Sequence, residues 1–181
     1  MFFYPANKGF TLLELLTSLA IICIILTVGL PAFSNVLENS TRKDTIYQLI
    51  GMLNFARDTA VSSSTNVVIC PTENGTTCNS TRDWSEKLLV FVDSNKNHEL
   101  DEEETLLKTF DYDRKKQSLN WKSFGNKSWL SFYADGSTGF QSGRIYYCYD
   151  EGKEAKDKSQ IIVYRTGRSR IASRQEFKSG C

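Results

Sequence analysis

The sequence has few of the residue types on which catalysis depends. It contains a single histidine, His98, which lies in an acidic stretch with no plausible serine or cysteine nucleophile nearby. It has neither a glycine-rich loop of the kind that binds phosphate nor a cluster of metal-ligating side chains. These absences argue against an enzyme, and no cofactor is expected.

Repeats and low-complexity linkers are also missing from the 181 residues, a length that suits one globular domain. The net charge of +1 conceals two segments of opposite sign. Residues 83–113 hold ten acidic side chains against three basic ones, whereas residues 165–181 hold five basic side chains against one acidic. Such asymmetry indicates either two solvated faces or a basic face that binds an anionic partner.

The five cysteines divide into one and four. Cys23 lies within an apolar run and is out of reach of the others. The remaining four, in the polar part of the chain, are typical of two disulfides in an exported domain, with three possible pairings. We favour Cys70–Cys78, which closes a turn-rich stretch, and Cys148–Cys181, which fixes the C-terminal tail. A zinc site is the alternative, although no Cys-x-x-Cys spacing supports it.

An almost wholly apolar run extends from Phe10 to Leu30 and is long enough to cross a bilayer. A secretory signal would have its cleavage site after the apolar core, but here the predicted processing site lies before it, at Gly9. Residues 1–9 are therefore expected to be removed as a leader, while residues 10–31 remain as a membrane-spanning helix.

One charged residue, Glu14, interrupts this run, and a carboxylate placed in hydrocarbon requires a partner. The candidate is the free amino group of Phe10 on a neighbouring subunit; the alternative is a carboxylate that lies among lipid headgroups. The stretch around it resembles the prepilin peptidase motif of type IV pilins and type II secretion pseudopilins: Lys8-Gly9-Phe10-Thr11-Leu12-Leu13-Glu14. The resemblance implies cleavage after Gly9 by prepilin peptidase, methylation of the new Phe10 amine, and a role for Glu14 in subunit registry during assembly.

Beyond the apolar run, residues 32–64 are predicted to continue the helix in amphipathic form. Apolar residues recur there at spacings of three and four: Ile46, Leu49, Ile50, Leu53, Ala56 and Ala60. Over residues 65–181 the period changes to two, which predicts a β-rich head. The predicted strands are Asn66–Cys70, Lys87–Val92, Thr105–Phe110, Ser118–Phe124, Trp129–Tyr133, Arg144–Tyr149, Gln160–Arg165 and Arg168–Ala172, with turns at Asp135-Gly136 and Gly167 and a charged hairpin tip over Lys153–Lys158.

The head resembles the GspH/FimT/FimU group of minor pilins and pseudopilins. The resemblance rests on the stretch from Trp84 to Glu104, the turn Phe132-x-x-Asp-Gly, and the stretch Thr166-Gly167-Arg168-Ser169-Arg170. It implies an α+β, pilin-like fold in which one long N-terminal helix packs on an antiparallel β head. It also implies a low-abundance subunit at or near a filament tip, with other pilin subunits as partners.

An acidic stretch between two predicted strands almost fits a helix–loop–helix calcium loop. Side chains with oxygen atoms occupy positions 1, 3, 5, 9 and 12: Asp93, Asn95, Asn97, Asp101 and Glu104. However, His98 stands at position 6, where the sharp turn favours glycine, and the stretch follows a strand instead of a helix. We therefore interpret it as an acidic hairpin tip and assign no metal, with calcium binding as the alternative.

The basic C-terminal segment contains the motif Gly167-Arg168-Ser169-Arg170. If Arg168 begins a strand, it projects from the same face as Arg170, and a positive-φ turn at Gly167 brings Arg165 close. Guanidinium groups suit phosphate because each can donate two hydrogen bonds to its oxygens. The predicted DNA-binding residues are Arg165, Gly167, Arg168, Arg170, Arg174 and Lys178.

A Gly-Arg-x-Arg motif near the C-terminus resembles that of FimT-type minor pilins, which implies a DNA-contact role for Arg168 and Arg170. Two exposed arginines on an edge strand, which would discourage pairing with other strands, are the alternative.

Three hypotheses follow: a DNA-binding minor pilin of a type IV pilus that aids uptake in natural transformation, a structural FimU-like tip or priming subunit, or a GspH-like pseudopilin of type II secretion. In each, the chain is expected as a single-pass protein of the bacterial inner membrane before assembly, with its head in the periplasm or outside the cell.

Overall fold

The computed structural model describes residues 9–111, 117–149 and 158–181, without the side chains of residues 28–35 and 38. Residues 1–8 of the predicted leader and residues 153–157 of the predicted hairpin tip lie outside these ranges. The chain divides into two compact units, of which the second begins at Asp44.

Among the described residues, a single α-helix, α1, extends over Leu12–Ser63. Its first turn is capped by Thr11, whose Oγ1 accepts a hydrogen bond from the main-chain N–H of Glu14 at 3.2 Å. The carboxylate of Glu14 in that turn also suits the positive end of the helix dipole. The helix ends where Ser64 adopts a left-handed backbone, with φ at 53°.

The first unit exposes its large apolar side chains along α1, from Phe10 at 80% to Leu26 at 49%. Contiguous apolar surface of this kind is typical of a segment that meets a membrane or other protein chains. Within the described residues, no helix combines the length and the apolarity needed to cross a membrane. The side chains of residues 28–31, at the end of the segment predicted to span the membrane, lie outside the description.

The second half of α1 turns one apolar stripe towards the head. Its fully or almost fully buried residues are Ile46, Leu49, Met52, Leu53, Ala56 and Ala60. Ile50, which the sequence placed in the stripe, is only partly buried at its margin. Tyr47, Asn54 and Asp58 are exposed, so the spacing of three and four residues separates a buried face from a solvated one.

In the part of the head that the structure describes, the strands form two four-stranded antiparallel sheets. The strands are β1 (Val67–Thr72), β2 (Lys87–Val92), β3 (Leu106–Phe110), β4 (Gln117–Ser123), β5 (Leu130–Phe132), β6 (Gly143–Tyr149), β7 (Lys158–Val163) and β8 (Ser169–Ile171). The first sheet has the order β3-β2-β1-β5, and the second has the order β4-β6-β7-β8. All eight predicted strands are present, with bounds within two residues of the prediction.

The main core lies where the buried stripe of α1 meets apolar side chains of both sheets. Trp84 and Trp121 stack in it with ring centroids 5.3 Å apart, and both side chains are fully buried. A smaller apolar cluster of Val68, Cys70, Leu89 and Phe91 packs separately from it. The α+β, pilin-like fold predicted from the sequence is confirmed.

Candidate nucleic-acid interface

The turn between β7 and β8 is built around Gly167. Its φ of 76° lies in the left-handed region, and its N–H donates to the carbonyl of Tyr164 at 2.9 Å. A Cβ at Gly167 would lie 1.8 Å from the carbonyl oxygen of Gly136. Glycine is therefore required both by the turn and by its close contact with the turn at residues 133–137.

Arg57 of α1 lies beside these two turns. Its Nε donates to the carbonyl of Gly136 at 3.0 Å. A cavity of about 560 Å³ opens here between α1 and the β7–β8 turn; we call it the arginine cleft. Its described lining includes three arginines and no acidic residue: Asn54, Arg57, Tyr164, Thr166, Arg168, Ser169 and Arg170.

Arg168 and Arg170 both line this cleft, so the structure brings the two motif arginines together. Arg168 precedes β8, and its carbonyl accepts the N–H of Tyr164 at 2.9 Å, which continues the pairing with β7. Arg168 is exposed. Its guanidinium is therefore accessible to an anion from solvent.

Arg170 is engaged within the chain by Glu176. Two of its nitrogens donate to the Glu176 carboxylate at 2.8 and 2.5 Å, and its Nε donates to the hydroxyl of Tyr164 at 3.0 Å. The hydrogen bonds from Arg170, followed by those from Ser173, hold the pKa of Glu176 well below its ordinary value. The bonds to Glu176, followed by that to Tyr164, raise the pKa of Arg170. The stabilisation from Glu176 is thus present above its ordinary pKa and is lost only as the pH falls through the lowered value.

Arg165 does not line the arginine cleft but lies in the turn between β7 and β8 that borders it. Its Nε donates to the carbonyl of Gly139 at 2.9 Å, and its guanidinium lies 4.9 Å from the centroid of the Phe140 ring. Phe140 is 73% exposed. Arg165 and Phe140 together form a solvent-accessible cation–aromatic pair that could contact a nucleotide.

The C-terminal tail, residues 173–181, lies on the outer face of the second sheet. The Gln160 side chain donates to the carbonyl of Lys178 at 2.5 Å, and Arg144 donates to the carbonyl of Glu176 at 3.0 Å. The tail ends at the Cys148–Cys181 disulfide, whose Cα atoms are 5.8 Å apart. Arg174 and Lys178 are exposed on this tail.

The register of the second sheet aligns further basic residues that sequence reasoning missed. Lys122 pairs with Arg144, Arg144 with Ile162, and Ile162 with Arg170. Because directly paired residues project from the same face, these side chains form one row across four strands. A groove of about 400 Å³ beside this row is lined by Lys122, Arg144 and Lys178, together with Tyr146 and Tyr164.

The remaining predicted site residues lie elsewhere. Cys70, in β1, is bonded to Cys78 in the loop that follows β1. The structure thus joins both cysteine pairs favoured from the sequence, Cys70–Cys78 and Cys148–Cys181. Gly9, Phe10 and Glu14 are exposed at the start of the first unit. The acidic stretch 93–104 connects β2 and β3. No three His, Cys, Asp or Glu side chains in the described ranges form a metal centre by themselves.

A long N-terminal helix, an antiparallel head stapled by disulfides and an N-terminal processing motif define a pilin-type subunit. Residues 45–167 match the family described as Type II transport protein GspH, and residues 5–30 match the Prokaryotic N-terminal methylation motif. The chain belongs to the GspH family and is a minor pilin or pseudopilin of a type IV pilus or a type II secretion system. It is a structural subunit of this kind and not an enzyme.

Two solved structures show the same fold. The type IV minor pilin FimU of Pseudomonas aeruginosa is similar with a TM-score of 0.55 and 17% identity, over 74% of this chain and 90% of FimU. The minor pseudopilin EpsH of the type 2 secretion system of Vibrio cholerae is similar with a TM-score of 0.51 and 11% identity, over 74% of this chain and 98% of EpsH. No curated protein matches the sequence. At these identities the structural likeness concerns the fold alone.

Proposed function

We propose that this chain is a minor pilin of a type IV pilus that binds DNA without sequence specificity and takes part in DNA uptake during natural transformation. Before assembly, residues 10–31 hold it in the inner membrane, and prepilin peptidase removes residues 1–9. In the filament it associates with other pilin subunits, with the head exposed to the periplasm or the exterior.

The observation that supports DNA binding most directly is the arginine cleft. Arg57, Arg168 and Arg170 line one cavity whose described lining has no acidic residue. Each guanidinium can donate two parallel hydrogen bonds to a phosphate, and three of them along one cleft suit successive phosphates of a nucleic acid strand. Contacts of this kind confer affinity without reading the base sequence.

One observation favours the alternative, a structural FimU-like tip or priming subunit or a GspH-like pseudopilin without DNA binding. Glu176 already binds Arg170 through two hydrogen bonds. This pair anchors the tail and offsets one of the three cleft charges. A measurement of DNA binding therefore distinguishes a DNA-binding minor pilin from a purely structural subunit.

The test is fluorescence anisotropy of a labelled DNA duplex with the full chain in detergent, at 50 and 200 mM salt. Because Glu176 already holds Arg170, two available phosphate contacts, from Arg57 and Arg168, predict a loss of affinity of about 12-fold between these concentrations. For Arg168→Gln we expect weaker binding at low salt and a smaller loss, about 3.5-fold, because one contact is removed. For Glu176→Gln we expect tighter binding, because Arg170 is released from its carboxylate.

Arg82→Gln is the matched control, since Arg82 is an exposed arginine in the acidic part of the head. It removes the same charge but should leave binding close to that of the unaltered chain. If the unaltered chain fails to bind at 50 mM salt, the DNA-binding function is wrong and the structural alternative stands. If Arg82→Gln and Arg168→Gln weaken binding equally, the interaction depends on net charge and the arginine cleft is not the site.

A further inference from the structure

The loop between β2 and β3 brings the two ends of a twelve-residue stretch together. The N–H of Val92 donates to the carbonyl of Thr105 at 3.0 Å, immediately outside the stretch that begins at Asp93 and ends at Glu104. Positions 1 and 12 of a calcium loop would therefore lie at the base of one hairpin, next to the ends of the neighbouring strands β2 and β3. Leu100, at position 8, packs against the smaller apolar cluster and fixes the loop to the first sheet.

Asp93 presents an unusual carboxylate inside this loop. Its residue is 1% exposed, and its Oδ2 accepts the main-chain N–H of His98 at 3.2 Å, so the carboxylate points into the loop. Its other oxygen, Oδ1, is buried and has no hydrogen-bond partner among the described residues. A buried carboxylate oxygen without a donor is costly, and a bound cation would supply the missing partner.

Further oxygen-bearing side chains are hydrogen-bonded to one another and to the main chain within the same loop. The amide nitrogens of Asn95 and Asn97 both donate to Oδ2 of Asp101, at 2.7 and 2.8 Å. Glu104 spans the loop, because its Oε1 accepts the N–H of Ser94 at 2.7 Å while its Oε2 accepts the N–H of Asp101 at 3.4 Å. Positions 3, 5, 9 and 12 are thus linked by direct hydrogen bonds. The Oδ1 atoms of Asn95 and Asn97 accept one main-chain N–H each, and each retains a second lone pair that could bind a cation.

His98, at position 6, has the backbone conformation that glycine usually provides there. His98 has a φ of 66°, the left-handed conformation for which glycine is usual at this position. Its ring stacks on Trp129 with the centroids 3.5 Å apart and the planes at 13°. The aromatic contact holds a non-glycine residue in the conformation that the sharp turn requires.

We propose that residues 93–104 bind Ca²⁺ through Asp93, Asn95, Asn97, Asp101 and Glu104. Calcium accepts six to eight oxygen ligands, so amide, main-chain and water oxygens can complete a set that the carboxylates alone do not fill. Asp93, Asp101 and Glu104 do not form a ready three-carboxylate centre among the described residues. Binding therefore requires the Asp101 and Glu104 carboxylates to turn from their present hydrogen bonds towards the ion. The loop is distinct from the arginine cleft and its function does not depend on DNA binding.

The test uses the full chain in detergent and Tb³⁺, a luminescent substitute for Ca²⁺ that is excited through nearby tryptophan. Trp129, stacked on His98, provides the sensitiser beside the loop. We expect Tb³⁺ luminescence that Ca²⁺ displaces with a Kd of about 10⁻⁴–10⁻³ M, the range of extracellular calcium modules. Mg²⁺ should compete far less well, because it requires a smaller octahedral site.

Glu104→Gln should weaken Ca²⁺ binding by at least about tenfold, since even outer partners of a metal ligand contribute that much. Glu103→Gln makes the same charge change at the exposed position 11 and should bind as the unaltered chain does. Asp101→Asn provides a second ligand variant, and thermal melts in EDTA verify that every variant is folded. Absence of displaceable luminescence at millimolar Ca²⁺, or equal losses in Glu103→Gln and Glu104→Gln, would overturn the proposal.

Discussion

Gly167 is subject to two independent demands, a positive φ and a close contact. Alanine at this position would place a Cβ 1.8 Å from the Gly136 carbonyl oxygen, in addition to the strain of a left-handed backbone. We expect Gly167→Ala to destabilise the chain by at least about 2 kcal/mol, with a Tm lowered by several degrees in calorimetry. Gly75→Ala is the control, because Gly75 has a φ of 82° but no atom near its Cβ position. Equal losses for the two variants would show that only the backbone conformation matters.

Sequence reasoning identified only part of the arginine cleft, because the predicted residues Arg165, Arg174 and Lys178 do not line it. Arg168 and Arg170 were predicted to face one surface, and the structure places both at one cleft. Arg57 was missed because helical periodicity says only that it lies on the polar side of α1, not which turn of the head it meets. The Glu176 contact was missed because it depends on the path of the tail after β8.

At the level of elements, the strands were predictable because each has alternating or continuous apolar residues bounded by turn residues. Their assignment to two sheets was not, since local alternation carries no information about which strands pair. The consequence is clearest for Lys122 and Arg144, which are 22 residues apart in sequence and become neighbours only through the register of β4 with β6. The row of basic side chains on the second sheet is therefore a property of topology.

The tail is held to the head by the Cys148–Cys181 disulfide and by hydrogen bonds from Arg144, Gln160 and Arg170. Cys148 and Cys181 are 33 residues apart, whereas Cys70 and Cys78 are 8 apart. Loop-closure entropy grows with loop length. Replacing Cys148 and Cys181 by alanine should therefore lower the free energy of unfolding by about 3–4 kcal/mol. Replacing Cys70 and Cys78 should lower it by about 1 kcal/mol less than that. Urea unfolding measures both. The reverse order would mean that the tail is held mainly by its hydrogen bonds to Arg144 and Gln160.

At the scale of the whole molecule, the two compact units differ in what their surfaces offer. The second unit buries its apolar residues in its own core, while the first exposes leucine and isoleucine side chains along α1. The exposed apolar side chains of the first unit are of the kind that a membrane buries before assembly and neighbouring subunits bury in the filament. From the sequence, the apolar run over residues 10–31 and the amphipathic segment over residues 32–64 are expected to differ in surface, because their periodicities differ.

Glu14 provides the sharpest test of assembly. If its carboxylate pairs with the Phe10 amine of a neighbouring subunit, Glu14→Gln leaves that amine without a counter-ion in apolar surroundings, and incorporation into filaments should fall more than tenfold. Glutamine is also accepted at the third position of a capping box, so the start of α1 beside Thr11 should be preserved.

Immunoblots of sheared filaments and of membranes, from the cells that make the filament, separate loss of assembly from loss of the subunit. Asp58→Asn, the same change at an exposed carboxylate later in α1, is the control. Equal incorporation of Glu14→Gln and Asp58→Asn would mean that the Glu14 charge has no part in registry.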